Sequence, residues 1–552
     1  MNIKTITSVG VMALTLAACD SGDLNLSPTN TVTDSNNTTV DSGGSGGGGA
    51  TTTNPCASFI EGGQSFQGVF EGGNCTYDST FVSENNPLSV DVTFEALDNG
   101  GLHIFNDSLF VGEDVNANAA AQDVRIPQDG EGPTLTIGAG SLMAFFNSND
   151  YVRIGRGSRI IADGTRAAPI IFSAVTDLRD GQATEADRGL WGGVQLNGNG
   201  LTNKCTDADR QPSGNNPHNC HVAAEGFPSS YGGTNNAENS GVLRYVQIRH
   251  AGFQVVDGDE LNGLTLNGIG SGTTIEFVQT YTTLDDGFEM FGGAVDLNNI
   301  VALNVGDDSI DYSEGWVGDI QFALAIHTSG SNRCIEADNT GSSRDDDIAP
   351  FTKGRISNMT CITSNVDSDQ GSAPSSKGDS EGPIYREGAY FELYNSIITS
   401  NDTGMASNEC FEIDSEVSVA GINQGFSAAS GNVIACTEAL KIAGDAGLDL
   451  SSWWTAGGNV AIDSESALPA TLIEGLSPSN PKVYVTAANL TDANGAAINV
   501  GVFDVTQLQD DFAAGAQPQV GSAGSSSFFK SVDFLGAVSA DDDWVSGWTH
   551  EL

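Results

Sequence analysis

Positive charge is what this chain has least of. Lysine and arginine number 21 against 71 aspartates and glutamates, a formal net charge of −50 over 552 residues. A nucleic-acid binder needs clustered basic residues to neutralise phosphate, and no such cluster occurs. An anionic lipid surface would repel the same chain. The acidic excess suits cations, cationic partners or solubility in salty water. Long apolar runs are also missing. The stretch from Val9 to Ala18 falls short of the roughly 20 apolar residues of a membrane-spanning helix. There is no Cys-x-x-Cys, which removes zinc-ribbon and thioredoxin-like readings. There is no Gly-x-x-x-x-Gly-Lys-Ser/Thr and no His-Glu-x-x-His, which removes P-loop and zincin chemistry.

The short apolar run instead has the form of an export signal. It follows Lys4 and ends Leu16-Ala17-Ala18-Cys19, small residues before a cysteine, as in a bacterial lipobox. Residues 1–18 are therefore expected to be removed and Cys19 to carry lipid, which holds a membrane stably when two or more chains are attached. Residues 19–54 are rich in Ser, Thr, Asn, Asp and Gly and read as a flexible leash. The expected location is outside the cytoplasm, at the outer membrane or cell surface, with the membrane itself a partner through the anchor.

Of nine cysteines, Cys19 is assigned to lipid, leaving eight in four sequence-local couples. An even count in an exported chain implies disulfides. Spacing alone does not settle the pairing; the economical choice is neighbours, Cys56–Cys75, Cys205–Cys220, Cys334–Cys361 and Cys410–Cys436.

Glycine is abundant, at 69 residues, and short apolar segments recur between Gly and Asn. Leu135-Thr136-Ile137-Gly138-Ala139-Gly140-Ser141 resembles Val152-Arg153-Ile154-Gly155-Arg156-Gly157-Ser158, 17 residues on (135 to 152). Ile275-Glu276-Phe277-Val278 leading to Leu284-Asp285-Asp286-Gly287-Phe288-Glu289 matches Leu297-Asn298-Asn299-Ile300 leading to Gly306-Asp307-Asp308-Ser309-Ile310-Asp311, 22 residues on (285 to 307). Leu243–Ile248 looks like an earlier copy, 32 residues upstream (243 to 275). Self-similarity with several short strands per period predicts a β-solenoid. The expected fold is all-β, a right-handed parallel β-helix over 131–440. Residues 55–130 and 441–552 are expected to cap its ends. Two polar stretches, about 199–240 and about 338–385, read as excursions from the coils.

Ser240–Val246, Glu260–Leu266, Gly270–Gln279, Asp285–Gly293 and, near the end, Val532–Ala537 and Trp544–Trp548 resemble a family of bacterial surface lipoproteins with a pectin-lyase-like β-helix. The resemblance implies fold and location more than activity. Pectin-lyase-like lyases use Ca²⁺ with an Arg or Lys base, and related hydrolases use Asp clusters; neither signature arrangement is visible.

The repeat stacks Asp285 on Asp307, Asp286 on Asp308 and Glu289 on Asp311. Carboxylates on adjacent coils would sit roughly 5 Å apart and repel. Three resolutions stay open: the side chains cap turns, the six together hold Ca²⁺, or Asp286 and Asp308 form an acid–base pair on a glycosidic bond. His250, one coil earlier, is a candidate base beside them. His218 and His221, flanking Cys220, are a weaker metal candidate. Trp316, Trp453, Trp454, Trp544 and Trp548 are available to stack on sugars or to pack. The leading expectation is a non-catalytic binding, adhesion or structural module with polysaccharide or a cell-surface protein as partner; the alternative is a glycan hydrolase or lyase.

Overall fold

Between Gly241 and Thr363 each coil is built from one long strand, bent in two by a left-handed residue, and one short strand. The computed structural model describes residues 54–552 apart from 257, 329, 341–347, 365–377, 401–408, 437, 443–446, 464–475, 478–479, 482–498, 509–527 and 540. The signal, Cys19 and the leash lie outside the described residues. Successive long strands, Gly241–Arg249, Thr274–Tyr281, Leu297–Leu303, Val317–Ile326 and Lys353–Thr363, pair in parallel within one 18-stranded sheet. The short strands form a ten-stranded parallel sheet that includes Gly193–Asn197, Leu264–Asn267, Phe288–Phe291, Ile310–Ser313 and Glu336–Ala337. This is the parallel β-helix that the repeats predicted.

Alternation along each strand sends every second residue inward. Ile275, Val278, Leu297, Ile300, Ile320 and Ala323 meet Phe288, Met290, Ile310 and Tyr312 in one continuous core. Its burial is the main source of cohesion. The bend falls on Tyr245, Phe277, Asn299, Phe322, Asn358 and Asn395, with φ between 48° and 62°. Such a φ costs an L-residue about 1–2 kcal/mol, least for Asn. Where the residue is aromatic, stacking offsets the cost: the Tyr245 and Phe277 rings lie 4.5 Å apart and nearly parallel.

The 22-residue offset is the coil register: Phe288 pairs with Ile310 and Glu289 with Asp311. The 32-residue offset is too, since Leu243 pairs with Ile275. The 17-residue similarity is not. Leu135 pairs with Ile160, and Val152 lies in the other sheet against Val194. Gly138–Ser141 and Gly155–Ser158 are two corners of the same coil, alike because in each the serine N–H returns to the first glycine's carbonyl, at 3.1 and 3.0 Å.

Three assignments change. Parallel pairing starts before residue 131: Asn74–Tyr77 pairs with Leu102–Phe105, and Val92–Phe94 with Leu135–Ile137. Only the antiparallel hairpins before it, beginning with Ser58–Glu61 and Gln64–Gln67, stand outside the coils. Lys353–Thr363, read as part of a polar excursion, is a wholly buried strand. Its polar side chains are matched there: Arg355 pairs with Asp319 at 2.6 Å and Lys353 with Glu392 at 2.5 Å.

The third change concerns 441–552, which do not all cap an end. Val460–Asp463 still pairs in parallel, and the helix Leu450–Ala456 lays Trp454 on the core. Residues 528–552 instead run back along the flank as a strap. Gln321 donates to the Lys530 carbonyl and accepts its N–H, at 2.9 and 2.8 Å. Gln279 does the same with His550, at 3.0 and 2.6 Å. Leu535, Trp544 and Trp548 cover Val301, Leu324 and Ile362.

All four neighbouring cysteine pairs are joined, at sequence separations of 19, 15, 27 and 26.

Candidate metal centre on the ten-stranded sheet

The turn before each short strand places a carboxamide or carboxylate at one recurring position. Asn262 Oδ1 accepts the Asp286 N–H at 3.1 Å, Asp286 Oδ1 accepts that of Asp308 at 2.9 Å, and Asp308 Oδ1 accepts that of Arg333 at 2.6 Å. Turn capping is therefore real, and it uses one oxygen of each aspartate. On the strand itself Thr265, Glu289, Asp311 and Glu336 stand in register on consecutive coils. The two columns converge. Asp285, Asp286 and Asp307 bring ligating oxygens within 4.8 Å of one another, as do Asp286, Glu289 and Asp311, and again Asp308, Asp311 and Glu336. All six predicted residues belong to this cluster, and Glu336 extends it.

Segments outside the coils cover the column. The excursion of about 199–240 carries Glu225, whose carbonyl accepts from Gln195 at 3.1 Å. Gly226 beside it donates to Asp259 at 2.6 Å. Tyr231 donates to Glu314, which also pairs with Lys204 at 3.0 Å. Asp286, Glu289 and Asp308 are 6%, 6% and 4% exposed.

Burial is the first cause of the resulting electrostatics, and mutual repulsion the second. Asp286 is raised well above the carboxylate range by burial, then by Asp285, Asp311 and Asp307. Glu289, Asp308 and Asp311 are raised the same way. Glu225 is pushed up to about 8 by burial and then by Asp285. Glu336 reaches about 7, burial outweighing the Arg386 guanidinium. The groups titrate together rather than one by one. Burial and repulsion both favour the protonated form of these groups, and a cation would favour the ionised form. Oxygen-only donors at this spacing fit a hard cation taking 6–8 ligands.

Arg386 and Arg333 approach the column, and carboxylates hold both. Arg386 meets Asp338 at 2.7 Å and Glu336; Arg333 meets Glu412 at 3.0 Å and Glu381.

His250 is not beside the acids. The charges acting on it come from Asp177, Arg249 and Asp187, and its Nδ1 lies 2.7 Å from the Asp187 carbonyl. It ends the long strand, so the following turn carries the chain away to the acidic face. His218 and His221 do not form a metal pair: His221 bonds the Arg156 guanidinium at 3.0 Å, and His218 spends its nitrogens on Asn199 and the Cys220 N–H. Trp316, Trp454, Trp544 and Trp548 are buried in packing and present no face to a sugar; Trp453 is partly buried against the core. Glu225 was missed because it lies on an excursion, and Glu336 because it follows its register partner Asp311 by 25 residues rather than 22 (311 to 336). Asn262 was legible as the Asp286 position one coil earlier.

A parallel β-helix with an acidic face made by its short-strand sheet is thus the class defined here. Residues 128–443 match the family described as the pectate-lyase-like beta helix domain, and the chain belongs to that family. No curated protein and no solved structure matches the chain.

Proposed function

We propose that this is a lipid-anchored, extracytoplasmic binding module whose acidic column holds Ca²⁺, displayed on a leash to engage polysaccharide or a cell-surface partner. The observation that carries the cation is the set of three overlapping carboxylate triads, each with its oxygens within 4.8 Å. One ion would replace repulsion within a triad by attraction and tie adjacent coils together. A binding role is favoured over lyase chemistry by the state of the two arginines. A lyase base must release its proton, and Arg386 is driven the other way, its affinity for the proton raised by Asp338 and Glu336.

Thermal melting of the full chain tests the cation. Melting temperature is expected to rise in CaCl₂ and fall in EDTA, and equal values would contradict the proposal. The binding role is tested by incubation with acidic glycans. No new reducing ends and no unsaturated uronate are expected; either product, released by wild type but not by Asp286→Ala, would establish catalysis instead.

A further inference from the structure

Away from the acidic column, a cavity of about 800 Å³ opens where the bent strands leave the 18-stranded sheet. This lies within the range of small-molecule sites, roughly 300–1,000 Å³. Three parts of the chain build it: the corners at His250, Tyr281 and Asn304, the loop at Ala183–Glu185, and the strap end at His550–Glu551. None of these residues belongs to the carboxylate triads.

The wall is braced. Asn304 donates to the Glu185 carbonyl at 2.7 Å and to Thr282 at 3.0 Å, and its Oδ1 accepts from Arg188 at 2.7 Å. One side chain therefore fixes the loop against the corner. His327 forms part of the floor, its nitrogens 2.8 and 3.1 Å from the hydroxyls of Ser380 and Ser309. The reciprocal amide bonds between Gln279 and His550 hold the strap end in place.

Apart from the carboxylates of Asp177, Glu185 and Glu551, the polar groups that remain are uncharged. A carbonyl only accepts, so His250 Nδ1 carries the proton toward Asp187 and Nε2 is left as an acceptor. Burial lowers both His250 and His550, the latter to about 4, so both rings are neutral at pH 7. Leu303 and Ile326 supply aliphatic surface between these groups. Among the described residues no lysine or arginine lines the cavity, while Asp177, Glu185 and Glu551 do. Arg249 lies behind the wall, 3.5 Å from Asp177. An anionic ligand would meet carboxylates with no cation facing it. A neutral sugar suits the wall better: its hydroxyls match the imidazoles and amide, and its C–H faces match the aliphatic groups and Tyr281.

We propose that this flank cavity is a carbohydrate-binding site, separate from the acidic column, that takes an uncharged oligosaccharide and rejects uronates. The experiment uses the full chain in EDTA, which takes the cation out of play. Neutral gluco-, manno- and galacto-oligosaccharides and oligogalacturonate are presented in saturation-transfer NMR and calorimetry. Ala183→Trp fills the cavity from a half-buried loop position; Glu185→Trp, at an exposed position on the mouth, is the second variant. At least one neutral series should bind. Either tryptophan, in a variant that melts like wild type, should weaken it at least about tenfold, and Glu289→Gln should leave it unchanged. Failure of every neutral series to bind, binding of oligogalacturonate alone, or binding that survives both tryptophans would overturn the proposal. Because the assay contains EDTA, none of these outcomes bears on the Ca²⁺ reading.

Discussion

Asn262, Asp286 and Asp308 do the same local work on successive coils, each accepting a backbone N–H from the next. Asn262 does so without charge, so capping alone does not require an aspartate at the other two positions. The proposed cation would account for the charge, and the two roles separate by substitution. Asp286→Asn keeps an accepting oxygen and removes one repelling carboxyl. It should raise the melting temperature in EDTA and abolish the gain from CaCl₂. Asp286→Ala loses the cap as well and should cost about 1–3 kcal/mol in denaturant unfolding under both conditions.

Glu238 gives a pH prediction away from the column. It is buried, accepts from Gly270 at 2.6 Å and Ser240 at 3.0 Å, and burial pushes it up to about 7. A carboxyl raised on folding contributes stability that is full below its unfolded pKa and lost as pH rises through the folded one. Wild type should therefore lose stability between pH 5 and 8, on the order of 3 kcal/mol from this residue. Glu238→Gln should flatten that part of a Tm-against-pH profile; an unaltered slope would remove Glu238 from the account.

At the scale of elements, the strap is the feature least visible in sequence. Its partners, Gln247, Gln279, Gln321, Asn358 and Asn395, look like solvent-facing residues until residues 528–552 are laid over them. The same concealment made Lys353–Thr363 read as a loop, since its polar side chains look exposed when ion-pair partners on neighbouring coils are unknown. The coils that were legible are those with little between their strands. Asp286 and Asp308 are 22 residues apart, whereas Asn197 and Asn267, equally adjacent in space, are separated by 70. Insertions of that size erase a period without disturbing the stack. The acidic column was readable for the same reason, falling on two consecutive bare coils; its cover, contributed by Glu225, was not. Trp548 is 1% exposed and packs on Tyr245 and Phe277. Trp548→Ala should cost about 3–5 kcal/mol, measured by denaturant unfolding. A loss below about 1 kcal/mol would mean the strap is not part of the cooperative fold.

Over the whole molecule, each disulfide closes a short loop, with separations between 15 and 27 residues. In the chain-entropy model a loop of about 15 residues is worth roughly 3 kcal/mol. All four bridges are local: Cys334–Cys361 and Cys410–Cys436 lie in the coils, Cys56–Cys75 in the N-terminal hairpin region and Cys205–Cys220 in the excursion of about 199–240, a set suited to an oxidising compartment. Reduction should raise the intact mass of the chain by eight hydrogens, from four disulfides, and lower its melting temperature; a free thiol among the eight would break the pairing. Against a net charge of −50, clustering buried acids on one face is tolerable only if most are protonated or a cation joins them. Calorimetric titration of the full chain with CaCl₂ after EDTA treatment, repeated on the paired substitution Glu289→Gln with Asp311→Asn, decides between these. Saturable heat in wild type at pH 7, with proton release and absent from the variant, is the expected result. No heat in wild type, or the same heat in the variant, would contradict a Ca²⁺ centre on the acidic column.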